Sequence, residues 1–109
     1  MNDKMHGKGR LLLASGIIFD GKFNYGCCDS IGKLRYPSGD IYVGQHRSFV
    51  KNGQGKIIYL NGSTYEGCWE NDRKSQKGRM FDHVSGDIYN GDYLEGKRNG
   101  RGRMYYAAT

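Results

Sequence analysis

Aromatic and small residues alternate with polar ones in short segments of this chain. In Tyr65-x-Gly67-x-Trp69, two rings and the glycine between them occupy every second position, and other segments repeat the arrangement. Such alternation places these residues on one face of an extended strand. No window has a helical periodicity of convincing length. The pattern predicts an all-β chain without substantial helix.

The same segments recur every 23 or 24 residues. Gly21, Gly44, Gly67 and Gly91 follow this interval, and two other glycine series keep it. Aromatic residues keep it as well, two positions before this series: Phe19, Tyr42, Tyr65 and Tyr89. The spacing predicts one domain over residues 1–109. It would consist of a half repeat at 6–16 and full repeats at 16–38, 39–61, 62–85 and 86–106.

Each repeat is predicted to form two short strands. Dipeptides such as Asn61-Gly62 supply the positive φ values of tight hairpin turns. The other connection, for example from Glu70 to Lys77, is polar and predicts a loop of about eight residues. Successive repeats would then build one elongated, twisted, single antiparallel sheet of β-hairpins. The mid-strand glycines would leave room for rings that stack into a continuous row.

Composition and charge restrict the function classes only partly. The chain of 109 residues has 18 glycines, 14 aromatic residues if its nine Tyr, four Phe and one Trp are added, and a net charge of +6. This excess permits an anionic partner without choosing one. No apolar run is long enough for a membrane span, and the first residues lack the apolar core of a signal peptide. A cytoplasmic location is therefore expected.

These residues resemble the MORN (membrane occupation and recognition nexus) repeat, roughly Tyr-x-Gly-x-Trp, a short loop, and then His-Gly-x-Gly. The segment 86–106 matches it well, and His6-Gly7-Lys8-Gly9 reproduces the start of a second strand. Ser30 and Gln76 replace the first glycine of Gly-x-Gly, so loops 24–31 and 70–77 are expected to differ in path from their equivalents. One residue is inserted between Gly78 and Gly86.

The resemblance implies an interaction module rather than an enzyme. It implies roles in scaffolding, in cytoskeletal or ciliary assemblies, at membrane junctions or the membrane periphery, or as an accessory repeat module of a larger enzyme. The sheet would begin with a second strand and end directly after one. We therefore expect a segment of a larger protein, or sheet ends covered by another chain or a second copy.

No residue pattern indicates catalysis or a cofactor. No Ser/His/Asp or Cys/His arrangement keeps a fixed relation to the repeat, and the Gly-x-Gly pairs lack the strand-to-helix context of a phosphate loop. Cys27 and Cys28 with His46 or His83 would be a conceivable metal site, but the Cys-x2-Cys spacing of compact zinc sites is absent. We expect no cofactor and no metal.

A basic residue follows every glycine of one series. These residues are Arg10, Lys33, Lys56, Arg79 and Arg103. Alternation places them in a row on one face, where they would bind an acidic helix, anionic lipid headgroups or a nucleic-acid backbone. In the alternative, they pair with acids on adjacent strands such as Asp20, Glu66 or Asp92, and such exposed pairs contribute only about 0–1 kcal/mol.

The aromatic residues have two interpretations. The candidates are Tyr42, Tyr65, Trp69, Tyr89 and Tyr93. They form the core, or they line a groove of a single-layer sheet that holds an extended or helical peptide. We predict a non-catalytic protein-interaction module whose groove and basic row bind a protein: a peptide, a helix or a neighbouring subunit. Binding of acidic phospholipids is the alternative, and nucleic acid ranks third because no nucleic-acid motif is present.

Overall fold

The computed structural model describes residues 7–24 and 27–107, with the backbone alone for Asn24 and residues 27–30. The strands of this part are β1 (Gly7–Leu12), β2 (Ile18–Asn24), β3 (Cys27–Arg35), β4 (Ile41–Arg47), β5 (Val50–Ile58), β6 (Thr64–Glu70), β7 (Arg73–Phe81), β8 (Ile88–Leu94) and β9 (Lys97–Tyr105).

The strands form one open antiparallel sheet in which each strand pairs with the next in sequence. The molecule measures 61 × 25 × 21 Å, so the predicted elongated sheet of successive hairpins is confirmed. Over the described ranges there is no helix. That part of the chain therefore contains no helix that is long and apolar enough to cross a membrane.

A row of glycines crosses the whole sheet at its centre. Each strand contributes one, and each is in register with the next: Gly9, Gly21, Gly32, Gly44, Gly55, Gly67, Gly78, Gly91 and Gly102. We call the face of the sheet that carries Phe19, Tyr42, Tyr65 and Tyr89 the inner face. Each of these rings lies two residues before the glycine in the first strand of its repeat, and each covers part of the glycine row. A Cβ atom at Gly55 or Gly78 would overlap the hydroxyl and ring of Tyr42 or Tyr65, respectively.

The tyrosine hydroxyls on this face reach over the glycines to the backbone beyond them. Tyr65 donates a hydrogen bond to the Cys68 carbonyl at 3.1 Å, and Tyr89 donates one to the Asp92 carbonyl at 3.1 Å. Tyr42 makes the same contact with the Gln45 carbonyl. The glycine row thus leaves space for each tyrosine ring to lie flat on the sheet, so that its hydroxyl reaches a backbone carbonyl and donates a hydrogen bond.

The rings interlock edge to face. Tyr65 contacts Trp69 of its own repeat, with ring centroids 5.0 Å apart, and Tyr93 of the next repeat at 5.1 Å, both with interplanar angles of 85°. Tyr42 contacts Trp69 in the same way at 5.7 Å. The predicted continuous row of rings is present, but these contacts are T-shaped rather than stacked, the arrangement that the quadrupole of an aromatic ring favours.

The predicted long loop at 70–77 is wrong. β6 and β7 are joined by the two-residue turn Asn71-Asp72, with φ values of 49° and 70°. Ser48-Phe49 and Glu95-Gly96 make the equivalent turns, also with positive φ at both residues, which is the type I′ geometry that matches strand twist. The polar sequence from Arg73 to Lys77 belongs to a strand, but Arg73, Gln76 and Lys77 are exposed, so it resembled a loop.

Gln76 does not change the path of its segment, contrary to the prediction. It has a φ of 54°, in the same left-handed region as Gly53 (101°) and Gly100 (68°) in the equivalent strands. All three lie at a bulge beside the glycine row, where the register shifts between neighbouring strands.

The other predicted loop, at 24–31, is also wrong where the backbone is described, because Asn24 ends β2 and β3 begins at Cys27. The register shift there lies between Gly21 and Phe23, the place equivalent to that between Gly44 and His46. The Ser30 side chain lies outside the described residues.

The opposite edge of the sheet carries the longer turns. Residues 14–16, 37–39 and 60–62 are three-residue turns, closed by hydrogen bonds such as Gly16 N–H to the Leu13 carbonyl at 2.9 Å. The inserted residue lies here, because residues 83–86 form a four-residue turn between Asp82 and Asp87. Asp40 also links one turn to the next by accepting the Leu60 N–H at 2.9 Å.

Candidate functional site

The predicted groove residues form the core of the inner face. Tyr42 and Tyr65 are 0% exposed, Trp69 and Tyr93 are 5% exposed, and Tyr89 is 8% exposed. A partner on this face would therefore meet the side chains that cover these rings. The five aromatic residues make the floor of the inner face, and the contact surface lies above it.

Basic side chains cross this floor at the repeat interval. Lys51, Lys74 and Arg98 are in register with His46, Trp69 and Tyr93 on the neighbouring strands. Their charged groups lie over ring faces and make cation–π contacts. We call these three residues the inner cations.

Each inner cation has its own set of rings. The Lys51 ammonium lies 4.8 Å from the ring centroid of Tyr36 and 5.0 Å from that of Trp69. The Lys74 ammonium lies 5.1 Å from the Tyr65 ring and 5.6 Å from those of Tyr59 and Tyr93.

A cavity of about 290 Å³ opens on the inner face between the two lysines. Its lining includes Lys51, Tyr59, Trp69, Lys74 and Gly96. Burial raises the pKa of Tyr59 to about 12 and lowers that of Lys74, which the neighbouring Arg98 lowers further. The cavity therefore combines aromatic walls and cations with the carboxylates of Asp40 and Asp72, which also line it.

The predicted basic row lies on the outer face, away from the rings. Arg10, Lys33, Lys56, Arg79 and Arg103 alternate in register with Asp20, Val43, Glu66 and Asn90. The groove and the basic row are thus separate surfaces on opposite sides of one sheet.

Ion pairing accounts for one end of the basic row. Asp20 accepts from Arg10 at 2.6 Å and from Arg35 at 3.2 Å, and the Arg10 hydrogen bond lowers the pKa of Asp20. Asp92 is 3.9 Å from Lys77, which is outside the row. Over residues 7–24 and 27–107, no carboxylate side chain with a described position pairs with Lys33, Lys56, Arg79 or Arg103.

An apolar row runs beside the basic row on the outer face. One residue from each strand takes part, in register: Leu12, Ile18, Arg35, Ile41, Ile58, Thr64, Phe81, Ile88 and Tyr105. Arg35 and Thr64 are its polar members. Leu12 is 69% exposed and Tyr105 is 50% exposed. The outer face therefore has an apolar row and a basic row side by side, both running across the strands.

The sequence-predicted metal candidates are not brought together in the described structure. His46 is buried against Phe19 and Phe49, whereas His83 is exposed on a turn. The side chains of Cys27 and Cys28 lie outside the described residues. Among the side chains that are described, no group of three His, Cys, Asp or Glu residues is arranged to hold a metal ion.

The inner cations were not predicted as a site. Lys51, Lys74 and Arg98 follow the 23- and 24-residue intervals, so the spacing test applied to basic residues would have found them. The sequence does not assign them to a face, because the polar segments in which they lie predict loops. With β7 extended to Arg73, alternation from Gly78 places Lys74 on the ring face.

Comparison with known proteins agrees with this repeated architecture. The family model for the MORN repeat matches five segments, at residues 1–17, 19–41, 50–64, 65–80 and 89–108. No curated protein matches the sequence significantly. Because the five segments cover most of its length, the chain belongs to the MORN repeat family, whose repeats are generally protein- or lipid-binding modules.

Proposed function

We propose that this chain is a non-catalytic scaffolding module that binds a protein segment along its inner face. The observation that supports this most is the groove chemistry: inner cations lie across a floor of buried rings beside a cavity of about 290 Å³. Aromatic and basic groups of this kind bind helical or extended peptides. As the setting we propose a cytoskeletal, ciliary or membrane-associated assembly.

Site-specific photo-crosslinking tests which face binds the protein partner. A photoreactive phenylalanine analogue is placed at Tyr59, beside the cavity, and in a matched variant at Val43, an exposed position on the outer face. We expect a discrete protein adduct in cells from position 59 and none from position 43. The reverse result would show that the groove is not the protein-binding face.

Binding of acidic phospholipids by the outer face is the second candidate. The juxtaposed basic and apolar rows favour it, since peripheral membrane proteins combine apolar insertion with cationic attraction to anionic lipids. Lys56 and Arg79 make no ion pair with a described carboxylate, although Glu66 lies in register between them.

Vesicle sedimentation tests the lipid proposal. The chain should sediment with vesicles containing phosphatidylserine and not with pure phosphatidylcholine, and the binding should weaken as salt rises. Reversing the charge at Lys33, Lys56 and Arg79 together should abolish it, whereas Lys74→Glu on the inner face should not. Sedimentation that is unchanged by the triple substitution would exclude the basic row as the lipid site.

A further inference from the structure

Lys51 and Lys74 occupy equivalent positions but differ in their counter-charge. The Lys51 ammonium is 3.2 Å from the Asp72 carboxylate, which also accepts the Lys51 backbone N–H at 2.8 Å. Lys51 also donates to the Tyr36 hydroxyl at 3.3 Å, and the residue is only 8% exposed. The first inner lysine is therefore neutralised within the chain.

The equivalent carboxylate is missing beside Lys74. Asp72 is the second residue of its two-residue turn, and the next repeat has Gly96 at that position. The backbone is otherwise the same, because the Asp72 N–H donates to the Lys51 carbonyl at 2.9 Å and the Gly96 N–H donates to the Lys74 carbonyl at 2.9 Å. Only the side chain that would meet the ammonium is absent.

No acid in the described structure replaces it. The Lys74 ammonium has the Met80 sulfur at 3.7 Å, and no carboxylate of residues 7–24 or 27–107 with a described side chain lies within ion-pairing distance. Asp40 and Asp72 line the same cavity as Lys74, and Glu70 and Glu95 line a neighbouring cavity that Lys74 also borders. None of these four carboxylates pairs with Lys74. The second cation nearby, Arg98, lies 4.6 Å from the Tyr89 ring and adds positive charge.

The space for an acid is open. A Cβ atom built on Gly96 would have no other heavy atom within 4 Å, and Gly96 and Lys74 both line the cavity described above. A half-buried ammonium without a counter-ion is destabilised by its partial desolvation, and an incoming carboxylate would relieve this. The positive charge of the Lys74 ammonium therefore favours binding of a carboxylate that belongs to a partner.

We propose that the segment bound in the groove is acidic, and that one of its Asp or Glu carboxylates pairs with Lys74 in the space beside Gly96. This inference rests on the proposed protein-binding function and specifies its partner. The neutralised Lys51 and the rings around it accept the less polar part of the same segment. Lys74 thus acts as a specificity residue, selecting acidic over neutral sequences.

Two model amphipathic peptides, identical except that each Glu of one is Gln in the other, test the inference. Binding is followed by NMR, from the backbone amides of the inner face and the side-chain signals of Lys74. We expect the Glu peptide to bind about tenfold more tightly and to shift the Lys74 signals, as one charge-assisted pair would give. Equal affinities would overturn the inference.

Three variants locate the preference. Lys74→Gln should abolish the preference for Glu, and Gly96→Asp should abolish it too, because the new carboxylate occupies the site from within. Lys51→Gln is the matched control and should keep the preference. If Lys74→Gln and Gly96→Asp both leave it intact, Lys74 is not the acid-binding residue.

The outcomes separate the two proposals. If both peptides perturb the inner face with equal affinity, the groove binds proteins and the acidic specificity is wrong. If neither peptide perturbs the inner face, the inference and the groove proposal both fail.

Discussion

At the scale of single residues, the glycines of the central row determine how the rings pack, because they have no side chain. Gly55 and Gly78 are small because Tyr42 and Tyr65 lie over them, and not because their backbone requires glycine: both have no unusual φ. Gly44 and Gly67 are small for another reason. A Cβ atom on Gly67 would meet the Gly78 Cα and the Lys77 carbonyl of the adjacent strand.

Replacing Gly78 by Ala should therefore destabilise the fold. The added methyl group overlaps the Tyr65 hydroxyl and ring, and overpacking of this kind costs about 1–3 kcal/mol. Urea denaturation measures the loss. The control is Gly78→Ala in a Tyr65→Leu background, where the added methyl group meets no ring and should cost clearly less. If the cost at Gly78 vanished, the ring would not occupy that space.

The residue scale also gives a pH dependence. Burial raises the pKa of Tyr42 and Tyr59 from 10.0 to about 12, and it raises those of Tyr36, Tyr65 and Tyr93 as well. Above pH 10 the unfolded chain loses tyrosine protons that the folded chain keeps. The free energy of unfolding should therefore fall as pH rises from 10 towards 12.

Tyrosinate absorbance and circular dichroism, recorded together, check this dependence. The buried tyrosines should ionise only as the sheet unfolds, and Tyr59→Phe should make the decline in stability less steep. The lowered pKa of Lys74 has the opposite effect, because it makes the free energy of unfolding rise with pH below 10.5, the ordinary pKa of lysine. Lys74 is a single group, whereas five tyrosines have raised pKa values, so the decline in stability prevails. Buried tyrosines that ionise near pH 10 while the sheet remains folded would contradict the packing described here.

At the scale of elements, the two edges of the sheet tolerate change differently. At one edge, the type I′ turns have two residues between the strands. At the other edge, the turns have three residues, or four in the case of residues 83–86. The extra residue there does not disturb the glycine row, because Gly78, Gly91 and Gly102 remain in register. Insertions are absorbed in the longer turns.

Deleting Val84 should thus leave the fold intact. This residue is 82% exposed, and its removal restores the three-residue turn of the other repeats. We expect a change of the melting temperature of no more than a few degrees. Deleting Lys56, which is in β5, is the matched control and should unfold the chain, because it shifts Val50–Gly55 by one position and reverses their faces. Equal effects of both deletions would contradict the register.

At the scale of the whole molecule, the sheet has two faces with different chemistry. The inner face has a buried ring floor crossed by Lys51, Lys74 and Arg98, and the outer face has parallel apolar and basic rows. A single-layer sheet of this length offers both faces to partners at once. This is the property that a scaffold requires.

The sequence predicts the part of this architecture that depends on spacing. The glycine series, the rings two residues before them and the row from Lys33 to Arg103 all follow from the 23-residue interval and from strand alternation. Packing in three dimensions could not be predicted in this way. Nothing in the spacing shows that Tyr65 and Trp69 meet edge to face and bury each other, which turns the predicted binding surface into a core.

The inner cations illustrate the same limit. The stretch from Arg73 to Lys77 is polar because Arg73, Gln76 and Lys77 are exposed and Lys74 lies across rings. Composition alone could not separate such a strand from a loop. The missing carboxylate at Gly96 could be recognised only once Asp72 was seen to pair with Lys51.

The most direct test of the interlocked rings is the NMR spectrum of the glycine α-protons. If Tyr42, Tyr65 and Tyr89 lie over Gly55, Gly78 and Gly102, ring currents should shift the α-protons of these glycines upfield. Nuclear Overhauser effects should link each glycine to its tyrosine, and Gly96 should show neither effect. Ordinary shifts without contacts to the rings would show that the glycine row does not hold the aromatic core.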